Sequence, residues 1–208
     1  MRKLEVIREF DPWKSPLCTC PRKYSLHPYT GCSHFCLYCY ATSYIGLKTS
    51  KPKKSFLNKL SRDLLEVEKG SLIELSTSSD PYPPIEEKLE LTRQALKTLV
   101  KHEVRILITT KSSLVVRDID VIARAPSSVM ITLTTLNSDL AKIIEPNAPP
   151  PSSRINAIKE LREKGIPVGA RIDPIIPFVN DDPHELRELV SRVIQAGALH
   201  ICLLYTSD

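Results

Sequence analysis

Apolar runs and amphipathic segments alternate along the chain. Six short, nearly continuous apolar runs have the length and β-branched content of buried strands; they lie near Leu26–Thr30, Leu72–Ser76, Val104–Thr109, Val129–Thr134, Ile166–Ile172 and His200–Leu204. The segments between them carry apolar residues at helical spacing, namely Ile85, Leu89, Leu96 and Leu99, then Ile155, Ile158 and Leu161, then Leu186, Leu189, Val190, Val193 and Ile194. The pattern therefore predicts strands that alternate with helices.

Capping residues mark the boundaries of the last two predicted helices. Ser152 or Ser153 is suited to the start of one helix and Gly165 to its end. Asp182, which precedes a proline, predicts the start of the last helix, and Gly197 predicts its end.

Repeated strand-helix units with apolar strands favour a parallel sheet that is covered by helices. Six units are too few for a closed eight-stranded barrel, so we expect an α/β fold, an open partial (β/α)6 barrel of parallel strands with outer helices. Residues 1–23 contain three prolines and no sustained period, which predicts an extended N-terminal leader before a core over residues 24–208. The chain ends directly after the sixth apolar run, as is expected of a chain truncated at its C-terminus.

The composition is that of an ordinary folded domain, with 42% hydrophobic and 25% charged residues among 208. No apolar run approaches the roughly 20 residues that span a bilayer. The N-terminal sequence MRKLEVIREF lacks the apolar stretch of a signal peptide. We therefore expect a cytoplasmic protein with no membrane partner.

The positive charge of the chain is local. The formal net charge is +5, and Lys48–Arg62 alone carries six Lys and Arg residues and no acid. Such a segment binds nucleic-acid phosphates or forms a solvated face. Only one aromatic residue, Phe56, lies among these charges as a base-stacking partner, and both interpretations stay open.

Three of the six cysteines lie in one short segment. Cys32, Cys36 and Cys39 have the spacing C-x3-C-x2-C, directly after the first predicted strand. Thiolates suit iron-sulfur clusters or zinc, and a cubane needs four ligands, so three cysteines leave one iron open for an exogenous group. An open metal position indicates catalysis.

The alternative is a non-catalytic zinc-binding module. His34, Cys18 or Cys20 would complete a tetrahedral site, since zinc accepts mixed cysteine and histidine ligands. Structural zinc sites usually have a second ligand pair farther along the chain, and the sequence downstream of Cys39 offers no such pair.

The cysteine segment, with Tyr38 just before its last cysteine, resembles the defining motif of the radical S-adenosylmethionine (SAM) superfamily. The likeness extends from about residue 24 to residue 181 and resembles the spore photoproduct lyase-related branch, often labelled DNA repair photolyase-like. Four blocks carry it: PYTGCSHFCLYCYA, STSSDPYPPIEEKLELTR, TTKSSLVVRDID and EPNAPPPSSRINAIKELREKGIPVGARIDPIIPFVND.

This resemblance implies the chemistry. The three cysteines would hold a 4Fe-4S cluster whose open iron binds SAM, and one electron would cleave SAM to a 5′-deoxyadenosyl radical that abstracts hydrogen from the substrate. A reducing electron donor of the flavodoxin or ferredoxin type is implied as a partner. The substrate is a nucleic acid, through lyase-like repair or base modification, or else a small molecule or peptide; the oligomeric state is not predicted.

The resemblance also implies cofactor-binding residues at the ends of the strands. It assigns Tyr38 to the cofactor, Ser76, Ser78 and Asp80 to the SAM amino group, Lys111 to the SAM carboxylate, and Thr132 and Thr134 to the ribose. It places Arg171, Asp173, Ile175 and Ile176 near the adenine or the substrate, with Asp173 as a catalytic candidate. Simpler explanations stay open: Ser76–Asp80 forms a turn, the threonines reflect β-propensity, and Arg171 pairs with Asp173. Tyr82 and Glu86 are further candidates for the cavity, although Glu86 also suits the first turn of a helix.

The chain departs from the lyase at the thiol that returns hydrogen. Spore photoproduct lyase has a cysteine close before its second-strand serine, whereas Leu72–Asp80 contains none. Cys18 or Cys20 would take this catalytic role, ligate a second metal, or be ordinary thiols. Unless one of them substitutes, thymine-dimer repair is not expected and the substrate is a different one.

Overall fold

The computed structural model describes residues 3–10, 22–75 and 77–205, without the side chains of residues 204 and 205. Within these residues the chain forms nine strands: β1 (Ile7–Phe10), β2 (Lys23–Leu26), β3 (Tyr29–Thr30), β4 (Lys51–Pro52), β5 (Leu72–Leu75), β6 (Arg105–Thr110), β7 (Ser127–Thr132), β8 (Val168–Ile175) and β9 (His200–Tyr205).

Helices connect the strands of the main sheet. They are α1 (Thr42–Ile45), α2 (Phe56–Asp63), α3 (Glu86–Leu89), α4 (Leu91–Lys101), a 3₁₀ helix (Ser113–Asp118), α5 (Ile119–Ile122), α6 (Ser138–Ile144), α7 (Pro151–Glu163) and α8 (Pro183–Gln195). Among the described residues, no helix is both long and apolar enough to cross a membrane.

Seven strands form one sheet in the order β1-β2-β5-β6-β7-β8-β9. The six strands from β2 to β9 in this order are parallel, and each follows its neighbour in chain order. This arrangement confirms the predicted α/β fold with six parallel strands in an open partial barrel. The second sheet is a small antiparallel pair, β3 and β4, which flanks the cysteine segment on both sides.

The first strand lies in the segment predicted as an extended leader. It pairs antiparallel with β2, with Ile7 opposite Leu26, and both side chains are fully buried. This part of residues 1–23 therefore belongs to the sheet and extends it beyond the six predicted strands.

Some predicted boundaries are wrong. The strand predicted at Leu26–Thr30 lies earlier in the chain, as β2 (Lys23–Leu26), and shares only Leu26 with the prediction. Pro28 has no N–H for a strand ladder, and residues 29–30 pair with β4 instead. Helix α7 begins at Pro151 rather than after a serine cap, since proline suits a first turn whose N–H groups are unpaired anyway.

The other predicted helix signals are confirmed. The carboxylate of Asp182 accepts hydrogen bonds of 2.9 Å from the backbone N–H groups of His184 and Glu185. Gly165 and Gly197 follow their helices at φ +77° and +99°, where a residue without Cβ is favoured.

One buried carboxylate fixes β1 against α2. Oδ2 of Asp63, the last residue of α2, lies 2.9 Å from Glu5 N, 2.7 Å from Val6 N and 3.0 Å from Ile7 N. Asp63 is only 1% exposed, so water does not compete for these bonds. The N-terminal strand is thus held by a charge-assisted contact in addition to its pairing with β2.

We predict that Asp63→Ala lowers the free energy of unfolding by about 3 kcal/mol, because buried N–H groups would lose their acceptor. Urea unfolding followed by circular dichroism measures this difference. The control Glu188→Ala removes an exposed carboxylate from α8 and should change the free energy by less than about 0.5 kcal/mol. Equal stability of the two variants would contradict the anchoring role.

Candidate functional site

The cysteine segment is held on one side by the residues before β4. Cys32 N donates to Lys48 O at 2.9 Å, and Ser33 and Ser50 exchange backbone-to-hydroxyl bonds of 3.0 and 2.8 Å. Gly31, at φ +72°, lies so close to this segment that a Cβ would be 2.6 Å from Lys48 O. Only glycine fits here, and the close approach fixes the start of the segment.

The other side of the cysteine segment is held by the residues that follow α6. Leu37 N donates to Ile144 O at 2.9 Å, and Asn147 N donates to His34 O at 3.2 Å. The side-chain amide of Asn147 also donates to Ser33 O at 3.0 Å. Two segments far apart in sequence thus clamp the thiol-bearing backbone.

The three thiols of the segment are free, with Cys36 buried and Cys32 and Cys39 partly buried. Burial raises the pKa of Cys36 to about 12, against the opposing effect of the Lys111 cation. Burial, and then the Asp80 carboxylate, also raise the pKa of Cys32. Metal ions compete with protons for such thiolates, and three soft donors in one clamped loop fit a cluster with one open iron.

Asp80 joins the cysteine segment to the ends of β5 and β6. Its Oδ1 accepts from Thr110 Oγ1 at 2.6 Å and from Tyr82 N at 2.9 Å, and its Oδ2 accepts from Lys111 N at 2.8 Å. His34 Nδ1 lies 3.5 Å from the same Oδ2. The carboxylate that the resemblance assigned to the SAM amino group therefore also forms the turn that the simpler explanation predicted.

The residues just before Asp80 differ in what they contact. Ser78 is half-buried, and Ser76 lies outside the described residues. Thr77 and Ser79 instead contact His27, which follows β2: His27 Nε2 is 2.8 Å from Thr77 Oγ1, and Nδ1 is 3.4 Å from Ser79 Oγ. The sequence analysis missed His27, because it fell inside the strand predicted at Leu26–Thr30, and only the structure places it directly after a strand.

Glu145 is the central residue that the sequence analysis did not single out. Its side chain is fully buried, with Oε2 at 2.6 Å from Arg154 Nη2 and Oε1 at 3.0 Å from Thr134 Oγ1. Tyr38 donates its hydroxyl to the same Oε1, and Lys111 Nζ lies 3.8 Å away. In the sequence, Glu145 and its partner Arg154 both lie in the block EPNAPPPSSR, which could have drawn attention to the pair.

Burial alone would raise the pKa of Glu145, but the cations of Lys111 and Arg154 outweigh it, and the pKa is lowered. The carboxylate is therefore charged. Burial, followed by the charge of Glu145, raises the pKa of Tyr38 well above its ordinary value, which keeps the phenol protonated as a donor. Lys111 Nζ is 5.5 Å from the centre of the Tyr38 ring.

The two threonines assigned to the ribose are buried at the end of β7. The Thr132 carbonyl accepts from Arg154 Nη1 at 3.1 Å, and the Thr134 carbonyl accepts from Asn180 Nδ2 at 2.7 Å. The Thr134 hydroxyl is engaged by Glu145. These contacts position the strand end, and the ribose role stays a prediction.

The contacts within β8 agree with one of the simpler explanations, the pairing of Arg171 with Asp173. Arg171 and Asp173 form an ion pair with each other, and Ile175 is buried. Arg171 Nε is buried without a hydrogen-bond partner among the described residues. Their roles toward adenine or substrate stay predictions, as do those of Cys18 and Cys20, which lie outside the described residues.

Tyr82 and Glu86, the further candidates for the cavity, contact side chains of the 3₁₀ helix. Both are buried, Tyr82 OH donates to Asp118 Oδ2 at 3.1 Å, and Arg117 Nη2 lies 2.6 Å from Glu86 Oε1. Glu86 is in the first turn of α3 and also accepts from Thr92 N at 2.9 Å. These residues join α3, α4 and the 3₁₀ helix.

Known proteins match this chain over most of its length. The model of the Radical SAM superfamily matches residues 26–190. An uncharacterized protein of Methanocaldococcus jannaschii is 35% identical over 194 residues, which cover 86% of this chain and 69% of that protein.

Solved structures share the fold. A spore photoproduct lyase mutant with bound AdoMet and dinucleoside spore photoproduct has a TM-score of 0.70 at 16% identity, covering 86% of this chain and 55% of the lyase chain. Streptococcus suis SuiB bound to the precursor peptide SuiA has a TM-score of 0.67 at 16% identity, covering 88% of this chain and 39% of SuiB. This chain thus spans about half the length of the lyase, and less of SuiB.

The family match covers most of the chain and includes Cys32, Cys36 and Cys39. The chain belongs to the radical SAM superfamily and is an enzyme that uses a 4Fe-4S cluster and S-adenosylmethionine.

Proposed function

We propose that this radical SAM enzyme acts on a nucleic acid, from which it removes a hydrogen atom during repair or base modification. The observation that carries the proposal is the position of the basic segment. Lys48 is bonded to Cys32 through the backbone, and Lys51 lies in β4, the strand that flanks the cysteine segment. Clustered cations beside a reactive centre favour a polyanionic substrate.

Exposed aromatic side chains adjoin the same segment. Phe56, the aromatic residue that the sequence placed among the charges, is buried and offers no stacking surface. Tyr40 and Tyr44 are instead 73% and 61% exposed, and their ring centres are 6.3 Å apart. Exposed aromatic rings beside cations are the usual platform for unpaired bases. The dinucleoside named in the lyase structure supports the same substrate class.

The residues of the site have defined tasks in this proposal. Cys32, Cys36 and Cys39 hold the cluster, which when bound supplies the reductive cleavage of SAM to a 5′-deoxyadenosyl radical. Glu145 lies 3.8 Å from the Lys111 cation and restrains it, and Lys111 would bind the carboxylate of SAM. Tyr38, held by the hydrogen bond from its hydroxyl to Glu145, would contact the cofactor with its ring. Electrons come from a flavodoxin- or ferredoxin-type donor, and Cys18 or Cys20 returns hydrogen to the product.

The second candidate is an enzyme that acts on a peptide. The fold likeness to SuiB, whose structure contains a precursor peptide, favours it. The two candidates share the cluster chemistry and differ only in the molecule that gives up hydrogen.

A label-transfer experiment distinguishes the two candidates. The anaerobically reconstituted protein is given SAM, dithionite and one fraction from cells grown in deuterium oxide: denatured DNA, RNA or a peptide pool. We expect 5′-deoxyadenosine to gain one deuterium, measured by mass spectrometry, with a nucleic-acid fraction. Deuterium from the peptide pool alone would contradict the proposal and support the second candidate.

We predict that Cys36→Ala abolishes both the cluster and the formation of 5′-deoxyadenosine, because two thiolates cannot hold a cubane that normally has three. Iron, acid-labile sulfide and 5′-deoxyadenosine are measured after reconstitution. Cys202→Ala is the matched control, since it removes a free thiol from β9 and should retain all three. Full activity of the Cys36 variant would contradict the assignment of the cluster ligands.

We further predict that Glu145→Gln lowers the free energy of unfolding by about 3 kcal/mol and weakens SAM binding, because Arg154 and Lys111 would lose their buried counter-charge. The control Glu163→Gln breaks an exposed 3.9 Å pair with Lys159 and should cost less than about 1 kcal/mol. Urea unfolding and equilibrium dialysis with SAM measure the two effects. An unchanged affinity for SAM would contradict the role of Glu145 at the cofactor site.

A further inference from the structure

His27 connects the end of β2 to the residues that follow β5. Its ring nitrogen Nε2 lies 2.8 Å from Thr77 Oγ1, and Nδ1 lies 3.4 Å from Ser79 Oγ. A neutral imidazole donates from one nitrogen and accepts at the other, so one ring holds two hydroxyl groups at once. Burial, followed by the charges of Lys53 and Arg8, lowers the pKa of His27 to about 4, which keeps the ring neutral at pH 7. The ring therefore fixes the residues on both sides of position 78.

Ser78 is the residue between the two that His27 holds. It is half-buried, and its hydroxyl has no hydrogen-bond partner within residues 3–10, 22–75 and 77–205. The hydroxyl of Thr77 contacts the imidazole, and that of Ser79 contacts both the imidazole and the carbonyl of Tyr29, at 3.4 Å each. Within this part of the chain, the middle one of three consecutive hydroxyl groups thus remains available to a ligand.

The segment that contains Ser78 borders the cysteine segment at both of its ends. Tyr40 directly follows the last of the three cysteines, and its hydroxyl donates to Thr77 O at 3.1 Å. At the other end, Asp80 Oδ2 lies 3.5 Å from His34 Nδ1. The available hydroxyl therefore belongs to a segment that is fixed against the loop that carries the thiols.

We infer that His27 is a positioning residue for the cofactor: by holding Thr77 and Ser79, it presents the hydroxyl of Ser78 to the amino group of SAM. The inference goes beyond the proposed function, because it concerns the cofactor and holds for any substrate. The ammonium group donates hydrogen bonds and has no acceptor, whereas a hydroxyl oxygen offers two lone pairs. His27 acts through its two neighbours and does not itself contact SAM.

The selectivity of cofactor binding tests this role. Equilibrium dialysis of the reconstituted protein gives the Kd for SAM and for the analogue in which hydrogen replaces the amino group. We expect His27→Ala to raise the Kd for SAM at least about tenfold, the effect of one hydrogen bond to a charged group. The Kd for the analogue should change by less than about twofold, because the analogue lacks the group that Ser78 contacts. A general loosening of the fold would weaken both ligands alike.

Two further variants keep the test independent of folding defects. Ser78→Ala should raise the Kd for SAM as His27→Ala does, and the double variant should match either single variant within about twofold, because all three lose the same contact. His27→Gln retains one donor and one acceptor and should stay within about threefold of the unaltered protein. Iron and acid-labile sulfide show that each variant carries the cluster.

The matched control His184→Ala removes an exposed imidazole from the first turn of α8, and it should leave both Kd values unchanged. An unchanged Kd for SAM in His27→Ala would overturn the inference. An equal loss of affinity for SAM and for the analogue, or additive effects of His27→Ala and Ser78→Ala, would also overturn it. The choice between nucleic acid and peptide as substrate is untouched by these results.

Discussion

The site depends on one buried negative charge, that of Glu145. A carboxylate in the interior is unstable unless cations and donors surround it, and here they come from four separate parts of the chain. Arg154 belongs to α7, Lys111 follows β6, Thr134 follows β7, and Tyr38 lies in the cysteine segment. The need to compensate a single charge therefore places the end of the sheet, an outer helix and the cysteine segment in one fixed geometry.

Hydrogen bonds to the backbone also hold the cysteine segment in place. The cysteine segment has little regular structure, so its shape is imposed from outside, by Lys48 and Ser50 on one side and by residues 144–147 on the other. The close approach at Gly31 leaves no room for a side chain. Such external clamping suits a metal site, because ligands held before binding lose little conformational entropy when the cluster forms.

Charge is distributed unevenly over the molecule, and this follows from the fold. Most half-buried cations are paired with carboxylates of the sheet and its helices, as Lys23 is with Glu74. The cations near the cysteine segment have fewer such partners, because Lys48–Arg62 contains no acidic residue. The carboxylate of the next residue, Asp63, accepts hydrogen bonds from backbone N–H groups instead. Positive charge thus remains on the segment that adjoins the cysteine segment.

The sequence by itself determined the alternation of strands and helices, the parallel sheet and the spacing of the three cysteines. These features are encoded locally, in apolar periodicity, in caps such as Asp182 and in thiol spacing. Glu145, His27 and the pairing of β1 with β2 were decided only by the tertiary structure. Their partners are distant in sequence, and a single carboxylate or imidazole carries no sign of what it will contact. Burial then sets which of these groups are charged, and burial exists only once the chain has folded.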